Sequence, residues 1–224
     1  MLALSKSQEF NCTIDYVLER LNSVTVSNCI PFFSHLPADP YLEGNYRFRR
    51  FSHFQISNGH LVQLPHAAFF QSKAHNPLLG DVTREYLELE DELIQLSDFQ
   101  MLVLEFFEFC QRCSSSNEVG VHQIRITADH HLGNPAPEGI HRDGVDLVGI
   151  VCVNRDNIDG GETHLYQASD RSLVFAKVLN PGELLLVNDR QFFHFTTPIQ
   201  ARSPQEGVRD VFVFTCPGLP QVNH

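Results

Sequence analysis

Apolar positions change their spacing along this chain, and the change falls near Val119. Before it, SQEFNCTIDYVLERLNSV places Phe10, Ile14, Val17, Leu18 and Leu21 at three- and four-residue intervals. That spacing predicts an amphipathic helix, with Ser5 and Ser7 as candidate caps. A loop rich in Pro, Asn and Asp follows, and NYRFRRFSHFQI then alternates in the manner of a strand. REYLELEDELIQL suits helix and strand alike. SDFQMLVLEFFEFCQRC predicts a buried helix, with Ser97 as its cap, acidic residues early and Arg112 late.

From Val119 onward short β-rich runs recur: VGVHQIRITAD, VDLVGIVCVNR, ETHLYQ, SLVFAKVL, GELLLVND, FFHFTTPI and RDVFVFTC. HHLGNPAPEG, NIDGG, NPGE and SPQEG break them apart. Many short strands separated by Gly, Pro and Asn turns predict an antiparallel sandwich or barrel. Helices ahead of such a run make an α+β fold, with the helices packed outside one sheet. The expected organisation is one domain over 1–224: a helical and mixed part (1–117), a β core carrying the site (118–216) and a tail (217–224).

Composition narrows the class. At 224 residues and 42% hydrophobic, the chain is long enough to bury a sizeable core. No run of about 18 apolar residues is present, so no spanning helix is expected. The opening MLALSKSQEFNC lacks the pattern of a secretory signal, so a cytoplasmic protein is expected. A net charge of −11 argues against nucleic acid or anionic membrane as a partner. The one basic cluster, Arg47, Arg49 and Arg50 in RFRRF, is short and interleaved with Phe. The six cysteines read as ordinary buried thiols, with Cys110 and Cys113 as two thiols at a helix end. An oligomer is possible but not readable.

The chemistry concentrates in PEGIHRDGVDLVGIVCV. His141 and Asp143 stand two apart, so on an extended segment both point to one face. Imidazole plus carboxylate suits a first-row transition metal, particularly Fe(II), and His194, several strands later, supplies a third ligand. A zinc hydrolase uses similar ligands, but no HExxH-like helix accompanies them. His130 and His131 are rival ligands, although adjacent residues in a Pro/Gly loop read better as solvated. His122 and His164 read as packing or supporting residues. Arg209 opens an apolar strand, where a lone inward guanidinium needs an anion, and a dicarboxylate fits. Arg202 is the reserve. Gln123 and Arg125 share the face opposite Ile124 and Ile126 and are candidate substrate contacts. Arg142, pointing away from the metal, and Glu162, as an ammonium partner, are two more. Phe192, Phe193 and Phe195 would wall the cavity or the core behind it.

His141-x-Asp143, then GGETHLY, then His194, then Arg209 at a strand start resembles the 2-oxoglutarate/Fe(II) dioxygenase superfamily with its double-stranded β-helix, a jelly-roll or cupin-like barrel. Residues 118–216 are similar, more narrowly, to the small bacterial hydroxylases of free L-amino acids, the L-isoleucine 4-hydroxylase group. The resemblance implies His141, Asp143 and His194 as iron ligands and Arg209 on the distal carboxylate of 2-oxoglutarate. It implies a supporting role for Thr163 toward that co-substrate. It further implies that O2 and 2-oxoglutarate are consumed, succinate and carbon dioxide are released, and a C–H bond is hydroxylated. Sulfoxidation or desaturation at the same centre, a larger substrate, and a non-catalytic sensor are the alternatives.

Overall fold

The computed structural model describes residues 14–22 and 24–219. Among them the strands are β1 (Tyr16–Arg20), β2 (Arg47–Ser57), β3 (His60–Gln63), β4 (Glu118–Ala128), β5 (Leu147–Asp156), β6 (Ile158–Gly160), β7 (Glu162–Gln167), β8 (Leu173–Val178), β9 (Glu183–Asn188), β10 (Phe192–Thr196), β11 (Ile199–Ala201) and β12 (Gly207–Cys216). The helices are α1 (Asp91–Ile94), α2 (Ser97–Cys110) and a 3-10 helix, Val26–Phe33. A large sheet runs β1-β9-β5-β12-β4-β2-β3, a small one β10-β7-β8, and β11 pairs with β6. All pairings are antiparallel. The large sheet faces the small one, giving the double-stranded β-helix of an α+β chain.

Period-two alternation sorts the side chains of the large sheet into two cores. Val148, Ile150, Leu185 and Val187 face inward and meet Leu165 and Phe192 of the small sheet. Val119, Val121, Leu147, Leu184, Phe212 and Phe214 face outward and are covered by α2 and the 3-10 helix. Phe106 of α2 packs against Phe214 with ring centroids 5.3 Å apart, and Phe99 meets Phe212 at 5.5 Å. Each such ring removed from water stabilises by roughly 1.5–3 kcal/mol. The expected packing of helices outside one sheet therefore holds.

The first expected helix does not form where it is described. Tyr16–Arg20 is an edge strand, paired from Tyr16↔Val187 to Arg20↔Glu183. Its Tyr and Val tolerate either conformation, and the open edge of β9 supplies the hydrogen bonds that decide it. Phe10, Ser5 and Ser7 lie outside the described residues. Ser97 is not a cap: Leu96 holds that position with no side-chain cap bond. Asp98, in the first turn, instead accepts from Thr25 N (2.9 Å) and Asn28 Nδ2 (2.8 Å), tying the loop to the helix.

Cys29, Cys110, Cys152 and Cys216 are buried free thiols, as expected. Cys113 is disulfide-bonded, so the reading of two thiols at the helix end holds for Cys110 alone. No helix among the described residues is long and apolar enough to cross a membrane.

Candidate metal centre and its cavity

The two histidines meet through their backbones. His141 N donates to His194 O at 3.1 Å and His194 N to His141 O at 2.8 Å, an isolated antiparallel bridge across the mouth of the barrel. On β10, Phe192, His194 and Thr196 face inward. Phe193 and Phe195 face outward, and Phe193 lies under the guanidiniums of Arg142 and Arg171. Only Phe192, therefore, packs behind the site. Asp143 lies in the irregular segment between that bridge and β5 rather than on the strand itself. The segment is extended enough that His141 and Asp143 still converge.

Ligand atoms of His141, Asp143 and His194 all lie within 4.8 Å of one another. His141 Nδ1 sits 2.8 Å from Gly139 O, and only a protonated Nδ1 can donate there. That bond leaves Nε2 facing the cluster with its lone pair. His194 Nε2 is buried with no hydrogen-bond partner, 3.5 Å from Asp143 Oδ2. Burial opposes ionisation of Asp143, but the imidazoles of His194 and His141 outweigh it and hold the carboxyl well below the usual range. Burial likewise opposes a charge on His194, and the Asp143 carboxylate overcomes it, raising that imidazole. Two imidazole nitrogens and an ionised carboxylate around a point with an orphaned nitrogen fit a divalent metal, with coordination positions left open for ligands.

Residues far off in sequence hold the cluster still. Gln71 Nε2 donates to Asp143 Oδ1 at 3.0 Å, and Gln71 Oε1 accepts from Arg84 Nη2 at 2.7 Å. Asp189 accepts the backbone amides of Asp143, Gly144 and Val145 at 3.0, 2.7 and 3.1 Å.

Behind the cluster lies a cavity of about 100 Å3. Strand register gives its wall. Arg209, Val211 and Val213 of β12 pair with Ile126, Ile124 and His122 of β4. Those in turn pair with Arg47, Arg49 and Phe51 of β2. Arg209 is 3% exposed, its Nη2 has no partner, and burial pushes its pKa down to about 10, leaving it charged at neutral pH. A glycine at 161, in the left-handed region at φ 67°, makes room for it: a Cβ there would stand 3.3 Å from Arg209 Cδ. Thr163 is fully buried, 3.4 Å from the hydroxyl of Thr196, which lines the cavity.

Four expected substrate contacts lie elsewhere. Gln123 faces out of the barrel and donates to Phe32 O at 2.9 Å. Arg125, on the same face, makes a two-pronged pair with Asp210 at 2.7 and 2.8 Å. Glu162 is on the outer face of β7 with its carboxylate 2.6 Å from His164 Nε2. Arg142 points away from the cluster, as strand geometry predicts, and donates to Arg190 O at 3.1 Å without turning over the mouth. The isoleucine face of β4, not the polar one, looks into the cavity. His130 and His131 take no part in the cluster, and His131 is an exposed loop residue beside Asp129. The residues missed are Arg47, Arg49, Gln71 and Arg84. Only alternation in RFRRF pointed toward the first two.

A profile of the 2OG-Fe dioxygenase family matches residues 30–215. The chain belongs to that family. A 2OG-Fe dioxygenase works with Fe(II), 2-oxoglutarate and O2, and the donor set described above suits that metal. Among relatives, the dioxygenase is 28% identical over 194 residues to the 3(1)-hydroxy-L-isoleucine 4-dioxygenase of Pantoea ananatis (strain AJ13355), covering 82% of this chain and 77% of that one. The crystal structure of a BsmA homologue from Methylobium petroleophilum PM1 superposes with a TM-score of 0.74 at 31% identity, over 83% of this chain and 78% of the other. IDO from Bacillus thuringiensis, at 21% identity, shares the fold with a TM-score of 0.70 over 85% and 84% of the two chains.

Proposed function

We propose that this 2OG-Fe dioxygenase hydroxylates an aliphatic C–H bond in the side chain of a free L-amino acid. In this reading His141, Asp143 and His194 hold Fe(II), and Arg209 takes the distal carboxylate of 2-oxoglutarate, with Thr163 supporting Thr196 beside it. The observation that carries it is a pair of orphaned atoms lining one cavity, His194 Nε2 and Arg209 Nη2. One asks for a cation and the other for an anion, and a metal-chelating keto acid answers both. The similarity to a hydroxy-isoleucine dioxygenase supports the amino-acid class.

Bound there, the metal with its keto acid and O2 would supply an oxidant for an unactivated C–H bond, one oxygen atom of O2 ending in the succinate formed as the keto acid loses carbon dioxide and the other in the hydroxyl of the product. The chain's own part is orientation and exclusion of water. Gln71 fixes the Asp143 carboxylate, Gly139 O fixes the His141 ring, and Ile124, Ile150, Val211 and Val213 make the wall apolar.

The test is Fe(II)-loaded enzyme screened against the free L-amino acids, with succinate release and product mass as readouts. A product 16 mass units heavier than one of them (about one oxygen atom), formed with stoichiometric succinate, is the expected result. No such product across the panel would rule the amino-acid reading out.

A further inference from the structure

Besides Arg209, the cavity wall carries two further buried guanidiniums. Arg49 and Arg84 are 6% and 2% exposed, and both line the cavity. Neither owns a carboxylate. Asp39 Oδ2 pairs with Arg47, 2.9 Å from Nε and 2.8 Å from Nη2, and stands 3.9 Å from Arg49, while its Oδ1 accepts from Tyr41 N at 3.0 Å. Arg49 otherwise donates to His122 Nδ1 and lies over the Tyr86 ring, 4.1 Å from its centroid. Arg84 meets only the neutral amide of Gln71 and the Phe69 ring, 4.8 Å away. Arg49 Nε, Arg84 Nε and the Tyr86 hydroxyl are all buried without a hydrogen-bond partner.

The cavity's own anions do not balance these charges. Its lining carboxylates are Asp143 and Glu138, and Glu138 stands at the histidine cluster, 3.1 Å from His141 Nε2. Burying a guanidinium without a counter-ion is costly, and the cost falls when a carboxylate engages the fork. This site is distinct from that of Arg209. Strands β2 and β12 lie two ladder spacings apart, about 10 Å, and Arg49 pairs with the Ile124–Val211 rung rather than the Ile126–Arg209 rung. Between the two cationic positions the wall is Ile124 and Val211.

We propose that Arg49 and Arg84 form the receptor for the substrate's carboxylate, separate from the Arg209 site. The substrate class is then a small aliphatic carboxylic acid, its carboxylate anchored on β2 and its apolar body lying along Ile124 and Val211 toward the metal. This deepens the function proposed above and rests on its assignment of Arg209 to the keto acid. It also moves the carboxylate contact from the polar face of β4 to β2 and to the segment before α1.

The test uses the full chain loaded with Zn(II) in place of iron and saturated with 2-oxoglutarate. Its arginine Nε–Hε resonances are followed by nitrogen-15 NMR and assigned through Arg49→Gln and Arg84→Gln. Isovalerate is the probe, and isovaleramide is its uncharged twin. Isovalerate is expected to shift the Arg49 and Arg84 resonances and the amide to shift neither. Arg49→Gln should weaken isovalerate binding roughly tenfold or more, a loss of about 1.4 kcal/mol per tenfold, with 2-oxoglutarate affinity unchanged. Equal binding of acid and amide, or shifts confined to Arg209, would overturn the receptor. If a Gln variant also loses 2-oxoglutarate, the wild-type shifts decide alone. The two proposals fail separately. Shifts at both arginines with no amino-acid product sink the amino-acid reading, whereas amino-acid turnover with both resonances unmoved sinks the receptor.

Discussion

Asp189 clamps the backbone of Asp143. One carboxylate, 1% exposed, accepts the Asp143 amide through Oδ1 and those of Gly144 and Val145 through Oδ2. The turn that aims Asp143 is thereby tied to the strand end that leads into β10 and His194. Asp189→Asn replaces one acceptor oxygen with a donor facing an amide donor, which breaks half of the clamp. Metal affinity, measured by calorimetric titration, is expected to fall about 10–100-fold with the fold retained, in line with other outer partners of metal ligands. Unchanged affinity would show that Asp189 does not aim the ligand.

Gln123 separates the polar face of β4 from the cavity. Its amide is spent on Phe32 O, on the outer side of the sheet. Gln123→Ala should leave the KM for 2-oxoglutarate unchanged and cost about 1 kcal/mol of stability, read from a urea midpoint. A raised KM would return this residue to the site.

Much of the site was legible in the sequence because it depends on local periodicity. Arg209, leading an apolar strand, needs only strand alternation to be aimed, and His141 and Asp143, two apart, converge because their segment is extended, while the Asp189 clamp on its turn had no local signal. The sense of the face was not legible on β4. Gln123 and Arg125 alternate with Ile124 and Ile126 whichever side looks inward, and only the register with β12 and β2 decides it. The choice ran against polarity because the outer polar side is used by Phe32 O and Asp210, while the cavity borrows its arginines from β2. The strand at Tyr16–Arg20 was hidden for a similar reason, since its conformation comes from β9. The hairpin to β3 had a local signal in Asn58-Gly59, both in the left-handed region at φ 51° and 77°.

Acidification should destabilise the fold through buried imidazoles. Burial first, and the Arg49 charge second, hold His122 well below its usual range, and burial lowers His53 despite Glu118. A histidine in the unfolded chain titrates near 6.5. The unfolded state therefore takes up protons that the folded state refuses. Stability is fully present above that value and falls as pH drops through it. The raised His194 works in the opposite direction in metal-free protein. Urea midpoints of metal-free protein between about pH 8 and about pH 5.5 should fall, and His122→Phe, which keeps the stack on Phe51, should flatten the slope. An identical slope in the variant would contradict a neutral buried His122.

The outer core gives a prediction independent of chemistry. Phe106 lies against Phe214 and over Gly149, where an added Cβ would come within 2.7 Å of its ring. Phe106→Ala should cost about 3–5 kcal/mol, measured by denaturant unfolding. A cost below about 1 kcal/mol would mean that α2 does not dock on β5 and β12 as described.

Removing the carboxylate from the histidine cluster tests the whole account most directly. Wild-type chain and Asp143→Ala, both exposed to Fe(II), would be given 2-oxoglutarate, oxygen and a substrate identified in the amino-acid screen, and succinate would be counted. The wild type is expected to release succinate with substrate present and the variant none, their circular dichroism spectra agreeing. Succinate from the folded variant at the wild-type rate would mean that the metal is held elsewhere.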